Sequence, residues 1–317
     1  MSEPVMRTAE PGSRARTDPA GAASARSVRT HNSSPAGRLV WGLLQVLVVL
    51  WCLFNILLLL WVGLNSFRGG STIFSQPLAL PDSFSFVNYV SAWSRSSLGR
   101  GFLNSILLVA ICTAITVVIA AMAGYVLSRT QVPSAGPLTS FFAIGLGIPV
   151  QVVIVPLWVA MNKISSMAYD TFGWWDERLS LGMLYVATSL PFAVFLLTGF
   201  FRSLPSDLEE AAAIDGASAW TTFSRIMAPL ARPGLVTAAM LTAMGLWNET
   251  LLALVFIVDN DRYTLPQALL GLYGTMQYTS DWGGLFAGIV IVVIPTLLLY
   301  ALLGKRLVEG MTMGAGK

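Results

Sequence analysis

"EEAAAIDGASAWTTFSRIMAP", Glu209 to Pro229, places Glu209, Glu210 and Asp215 close together in a chain that is 55% hydrophobic and only 11% charged. Asp207 adds a further acid just upstream. Ser206-Asp207-Leu208-Glu209 has the spacing of a capping box, a hydroxyl followed three residues later by a carboxylate, and Pro205 precedes it. It predicts a short helix over about 207–215, with acids at the positive end of its dipole. Gly216 is placed to stop that helix in a left-handed turn. Ser218 is placed to cap a second helix, whose apolar face would hold Trp220, Phe223, Ile226 and Met227. Pro229 is expected to close it. The stretch therefore reads as a helix–Gly–helix elbow. The residues alone leave two uses open: a solvated surface elbow whose acids cap and solubilise, or an acidic lever that docks in a partner's groove.

The segments on either side are oily. The chain has 317 residues and a mean hydropathy of +0.69. Soluble domains carry roughly 25% charged residues, so this chain lies outside that class. About 20 apolar residues in a helix cross a hydrocarbon core ~30 Å thick. Six segments meet that length: about 39–64, 102–128, 137–161, 181–201, 234–258 and 283–304. They are expected to be helices, because lipid offers no partner to free backbone N–H and C=O groups. Kinks are expected at Pro149, Pro156, Pro191 and Pro295. The predicted fold class is an all-α membrane protein with six transmembrane helices in a permease domain over 39–310.

Alternating the loops between the two faces puts thirteen of the 19 Lys and Arg residues on the side of the termini and of the loop 202–233. That bias predicts cytoplasmic termini and a cytoplasmic elbow. Residues 1–38 are rich in Ser, Ala, Gly, Pro and Arg, the composition of a disordered basic tail; contact with anionic lipid is one use for it, topology another. Residues 311–317 form a short cytoplasmic C-tail after Lys305 and Arg306. On the outer side, Phe84, Phe86, Tyr89 and Trp93 predict a short interfacial helix within 80–94, and Trp174 and Trp175 mark a second interfacial loop.

Composition also removes function classes. The single histidine, His31, lies in the polar tail, which leaves little room for histidine-based catalysis. Cys52 and Cys112 sit in apolar segments without metal or disulfide spacing. No phosphate-cradling G-x-x-x-x-G-K-[ST] occurs, nor G-x-S-x-G, nor H-E-x-x-H. The mild net charge of +3 gives no basis for nucleic-acid binding. Uphill transport would then need energy from elsewhere, or ion coupling. Glu249, next to Asn248, is the acid lying well inside a span, so an ion-coupled carrier using Glu249 is the alternative function. Asn104, Gln151, Asn248 and Glu249 are the candidate polar groups on a translocation path, with Tyr125 and Trp158 as candidate stacking surfaces. The expected outer loop 259–282 carries Leu272, Tyr273 and Gly274.

Glu210-Ala211-Ala212, three residues, Gly216, nine residues, then Ile226 and Pro229 resemble the EAA loop of permease subunits in binding-protein-dependent ABC importers; Ala228 stands where that pattern has leucine. "FLNSILLVA" (102–110), "AGYVLSRT" (123–130), "LWNETLLALVF" (246–256), "TLPQALLGLYG" (264–274) and the segment from Asp281 onward are similar to the carbohydrate-uptake, MalG-like branch, over about residues 40–317. The resemblance implies a heterodimer with a second permease, two cytoplasmic ATPase subunits that use ATP, an extracytoplasmic sugar-binding protein, and no cofactor on this chain. It implies an ATPase-coupling site at Leu208, Glu209, Glu210, Ala211, Ala212, Asp215 and Gly216. Glu210 would pair with a basic group, and the two alanines would permit close approach. It also implies that Leu272, Tyr273 and Gly274 meet the binding protein.

Overall fold

The computed structural model describes residues 35–95, 97–129 and 135–315. Residues 1–34 of the expected tail 1–38 and the last two residues of the C-tail lie outside them, as do the side chains of Lys305 and Arg306, whereas residues 35–38 are helical and open the first helix. The chain divides into two units, residues 1–57 and 58–317. In the first, the described part is the start of helix α1, Pro35–Asn65, a run of leucine, valine and tryptophan. Its one asparagine before Leu58, Asn55, satisfies its amide by donating to Trp51 O at 2.8 Å.

The second unit is built on two long helices, α4 (Leu98–Arg129) and α7 (Glu177–Ser203), which share the most extensive helix contact in the molecule. Small residues permit that approach. A Cβ on Gly124 would lie 3.0 Å from Thr198 N and 3.1 Å from the carbonyl carbon of Leu197, so any larger residue would push the backbones apart. Before α4 come two short helices, α2 (Gly70–Ser75) and α3 (Val87–Arg95). The predicted aromatic segment is this α3 region: Phe67 packs on Phe84, Phe86 and Tyr89 with ring centroids 5.3–5.5 Å apart.

Between α4 and α7 the expected third span is not one helix. It is α5 (Ala135–Gly147) followed by α6 (Val150–Phe172), broken at Ile148-Pro149. Proline has no N–H to donate, and it biases the preceding residue away from helical ψ. The break falls there, while Pro156, Pro191 and Pro295 lie inside continuous helices. Helix α6 also runs to Phe172, where Gly173 at φ +75° ends it, so the interfacial loop expected around Trp174 and Trp175 is only the short link between α6 and α7.

After α7 come α8 (Asp207–Ile214) and α9 (Ala219–Leu230), then α10 (Arg232–Trp247) and α11 (Leu251–Phe256). The expected fifth span is therefore also interrupted, at Asn248–Thr250. A three-residue 3₁₀ turn, Asn260–Arg262, leads to α12 (Leu265–Thr279), and α13 (Trp282–Ala315) ends the described chain. Among the described residues, five helices are long and apolar enough to cross a membrane, and the bent pair α9–α10 makes a sixth if taken as one span.

Two apolar cores run along the α4–α7 axis. One holds Leu98, Cys112, Leu181, Tyr185, Trp247, Leu265 and their neighbours; the other holds Ala121, Leu127, Leu197, Phe201, Met227 and Ala231. The second lies at the elbow end.

Candidate coupling site

The elbow begins at Ser206, but the predicted capping box does not form. Ser206 sits at φ −75°, ψ −23° and its hydroxyl makes no capping bond. A helical N-cap points its hydroxyl away from the free amides, so the first turn closes through backbone bonds, Glu209 N to Ser206 O at 2.9 Å among them. Glu209, freed from that duty, turns inward. Its Oε1 lies 3.2 Å from Arg129 Nε at the end of α4, and both side chains are largely covered, with 20% and 16% exposure. The contact is ionic in range, without the alignment of a hydrogen bond. Arg129 also donates through Nη2 to Leu204 O at 2.7 Å, holding the C-terminus of α7.

Gly216 ends α8 as the sequence predicts, at φ +74°. Gly216 N donates to Ala213 O at 3.1 Å and Ala217 N to Ala212 O at 2.9 Å. This pair of bonds is a Schellman closure. Ser218 then caps α9, its hydroxyl accepting from Thr221 N at 3.2 Å. Pro229 does not close the second arm: α9 passes through a π turn, Thr222–Met227, and continues to Leu230. Wider i→i+5 bonding tolerates the missing proline N–H one turn later. The chain then bends by 75° into α10.

The elbow has an inner and an outer face. Inside are Ala212 (4% exposed), Met227 (0%) and Phe223, whose ring lies 5.2 Å from Tyr125; Tyr125 in turn lies 5.6 Å from Phe201. Outside are Glu210, Ala211, Asp215 and Gly216, with Leu208 at 39%, Trp220 at 65% and Ile214 at 87% exposure. Two residues assigned to the partner-facing set are thus on the inner side: Glu209, drawn in by Arg129, and Ala212, packed in the fold. Tyr125 is likewise a packing residue and not a free stacking platform. Arg129, which the sequence marks only as one positive charge among many, is the group that sequence reading missed.

At the opposite end of α4, Asn104 is 7% exposed and fully occupied. Its amide donates to Asp261 O at 3.1 Å and Tyr263 O at 3.0 Å, and its Oδ1 accepts from Arg178 Nη1 at 3.1 Å. Arg178 also meets Asp176 through Nη2 at 2.8 Å. These hydrogen bonds from Arg178 hold the Asp176 carboxyl below its ordinary range, against the opposing effect of burial. Glu177 Oε2 accepts from Val258 N at 2.9 Å and Asp259 N at 3.3 Å, and Arg100 pairs with Asp261. A groove of about 760 Å³ between α4 and α7 opens beside this cluster. It is lined mainly by aliphatic side chains, with Asn104, Asp176, Arg178 and Trp174 as its polar wall.

The other candidate path residues are not gathered there. Gln151 is exposed near the start of α6, and Asn248 is exposed and donates to Met244 O at 2.8 Å. Glu249 is not an isolated acid within a helix. It sits in the break between α10 and α11 and accepts from Leu252 N at 2.7 Å and Ala253 N at 3.3 Å, capping α11. Leu272, Tyr273 and Gly274 lie on helix α12 and not on a loop. Leu272 is 7% exposed in the core, while Tyr273 is half exposed. Among the described residues no group of His, Cys, Asp and Glu could hold a metal ion.

Five membrane-length apolar helices among the described residues, with a sixth if the bent pair is one span, define a multi-pass membrane protein. The chain matches the family model described as binding-protein-dependent transport system inner membrane component over residues 117–312, and it belongs to that family of transport permeases. It is 38% identical over 295 residues to the diacetylchitobiose uptake system permease protein NgcG of Streptomyces coelicolor, covering 93% of this chain and 92% of the relative. It is 33% identical over 277 residues to the trehalose transport system permease protein SugB of Mycobacterium tuberculosis, covering 87% and 97%. A crystal structure of a bacterial ABC transporter that imports the acidic polysaccharide alginate shares the fold, with TM-score 0.69 at 21% identity, over 86% of this chain and 98% of that one.

Proposed function

We propose that this chain is one permease subunit of an ATP-driven importer for a sugar or oligosaccharide, and that its elbow receives the work of a cytoplasmic ATPase. The observation that carries this is the outer face of the elbow. Ile214 at the end of α8 and Trp220 at the start of α9 stand exposed on the same elbow as Glu210 and Asp215, and the inner face of that elbow is fixed by packing. Exposed apolar side chains ringed by acids suit a groove with a basic rim. Glu210 is the charge that enters it, Ala211 permits close approach, and Leu208 and Gly216 bound the footprint.

The partners are a second permease, two ATPases that bind and hydrolyse ATP, and an extracytoplasmic sugar-binding protein. Both termini and the elbow face the cytoplasm, and the polar cluster around Asn104 faces outward. Tyr273 and Gly274 on α12 contact the binding protein, with Leu272 as their anchor in the core. The relatives' named cargoes, diacetylchitobiose and trehalose, support a sugar as the class of solute. Against ion coupling through Glu249 stands its use as a backbone cap and the family to which the chain belongs.

Purification of the complex through this chain tests the proposal. An ATPase and a second permease are expected to follow it, and Glu210→Ala is expected to release the ATPase while leaving the chain in the membrane. Full uptake by Glu210→Ala, with the ATPase still bound, would contradict it.

A further inference from the structure

We propose that Arg129 and Glu209 form a latch that fastens the elbow to α4, so that a push on α8 moves the α4–α7 pair. This rests on the docking role proposed above for the outer face. The two adjacent glutamates of α8 have different surroundings: Glu210 is exposed, whereas Glu209 lies 3.2 Å from Arg129 with both side chains of that pair largely covered. Arg129 simultaneously holds Leu204 O at the end of α7, so one guanidinium ties α4, α7 and α8. One turn earlier, Tyr125 packs between Phe201 of α7 and Phe223 of α9.

The covalent route out of the elbow is different. Between α9 and α10 the chain turns through 75° at Ala231, a corner and not a straight rod. Rigid-body displacement passes best through elements packed and pinned together. The pinned neighbours of the elbow are α4 and α7, the helices that also line the groove and hold the Asn104 cluster. Glu209 and Arg129 are thus positioning residues: neither touches the partner, and both decide which helices its motion reaches. A largely covered ion pair suits this role, because removing one member leaves the other charge unpaired and the joint loosened.

The test uses the assembled complex purified through this chain, with Cys52→Ala, Cys112→Ala and Leu107→Cys as the parent. Leu107 lies on α4, exposed and lining the groove. The readout is the rate of maleimide labelling with and without ATP and vanadate. In the parent, nucleotide is expected to change that rate about fivefold or more, the usual scale of coupling between sites. Glu209→Gln and Arg129→Ala are expected to keep the ATPase bound and hydrolysing while the change falls below about twofold, and Arg129→Lys is expected to restore it.

A parent-sized change in Glu209→Gln and Arg129→Ala would overturn the latch, as would Arg129→Lys behaving like Arg129→Ala. Release of the ATPase by Glu209→Gln would make Glu209 a docking residue and also overturn it, with the docking role intact. If instead Glu210→Ala retains the ATPase and the full labelling change, the docking role fails, and the latch with it.

Discussion

Asn104 Oδ1 accepts a hydrogen bond from Arg178 Nη1 at 3.1 Å while its amide holds the carbonyls of Asp261 and Tyr263. One side chain therefore ties α4, the start of α7 and the turn before α12. Replacing it by Leu leaves two carbonyls and a guanidinium nitrogen without that partner. Asn104→Leu is expected to cost about 2–3 kcal/mol, the scale of leaving buried polar groups unsatisfied. Thermal unfolding of the purified chain in detergent checks this through a lowered midpoint.

The same cluster sets an acid sensitivity. Hydrogen bonds from Arg178 lower the Asp176 carboxyl below its ordinary value, and burial opposes them. A carboxyl depressed in the folded state adds stability that is fully present above its unfolded value and is lost as pH falls through the folded one. The contribution should therefore be intact at neutral pH and fade below about pH 4. Asp176→Asn is expected to lower the midpoint at pH 7, with the gap to the parent closing at pH 3. A gap that widens in acid would contradict this assignment.

Glu249 distinguishes the two energy sources. Its carboxylate caps α11 through Leu252 N and Ala253 N, a duty that Gln performs in part through its carbonyl oxygen. Glu249→Gln is expected to retain uptake, and uptake in the parent is expected to survive a proton ionophore but stop when ATP is depleted. Glu249→Leu loses the cap at a cost of about 1 kcal/mol. Abolition of uptake by Glu249→Gln, together with ionophore sensitivity, would favour ion coupling.

Gly216 separates backbone strain from crowding. Its φ is +74°, and a Cβ there would meet nothing within 4 Å. Within this chain the cost of a substitution is therefore conformational, roughly 1–2 kcal/mol for a side chain forced into the left-handed region and less for Asn. Gly216→Val is expected to impair ATPase retention strongly and Gly216→Asn mildly. Equal loss in both would point to a contact made by Gly216 itself.

Much of the fold is legible in the sequence because span length and apolar composition are local properties. The segments read as 102–128 and 181–201 are the cores of α4 and α7, each extended by a few residues at its ends. Pro149, read as a kink, is the site of a full break, because the missing proline N–H is itself a local property. The break at Asn248–Thr250 is less legible, since a helix ends where other groups take over its backbone partners. At Asn248–Thr250 that group is the Glu249 carboxylate. Gly216 and Ser218 act as read, through bonds within their own turns.

Glu209 does not act as read. Its local pattern offers a capping box, and a distant arginine competes for the same carboxylate. Nothing within the elbow stretch names Arg129 as that competitor. Leu272 shows the same limit, since its burial depends on residues of other helices that pack over it.

The most direct measurement places one probe on the elbow. In the background lacking Cys52 and Cys112, Ile214→Cys puts a thiol where the side chain is 87% exposed. In intact cells it should resist a membrane-impermeant maleimide applied outside, react after permeabilisation, and form a crosslink to the ATPase in the assembled complex. Labelling from outside the intact cell, or a complex in which this thiol crosslinks to no ATPase, would contradict the claim that the elbow receives the work of ATP hydrolysis.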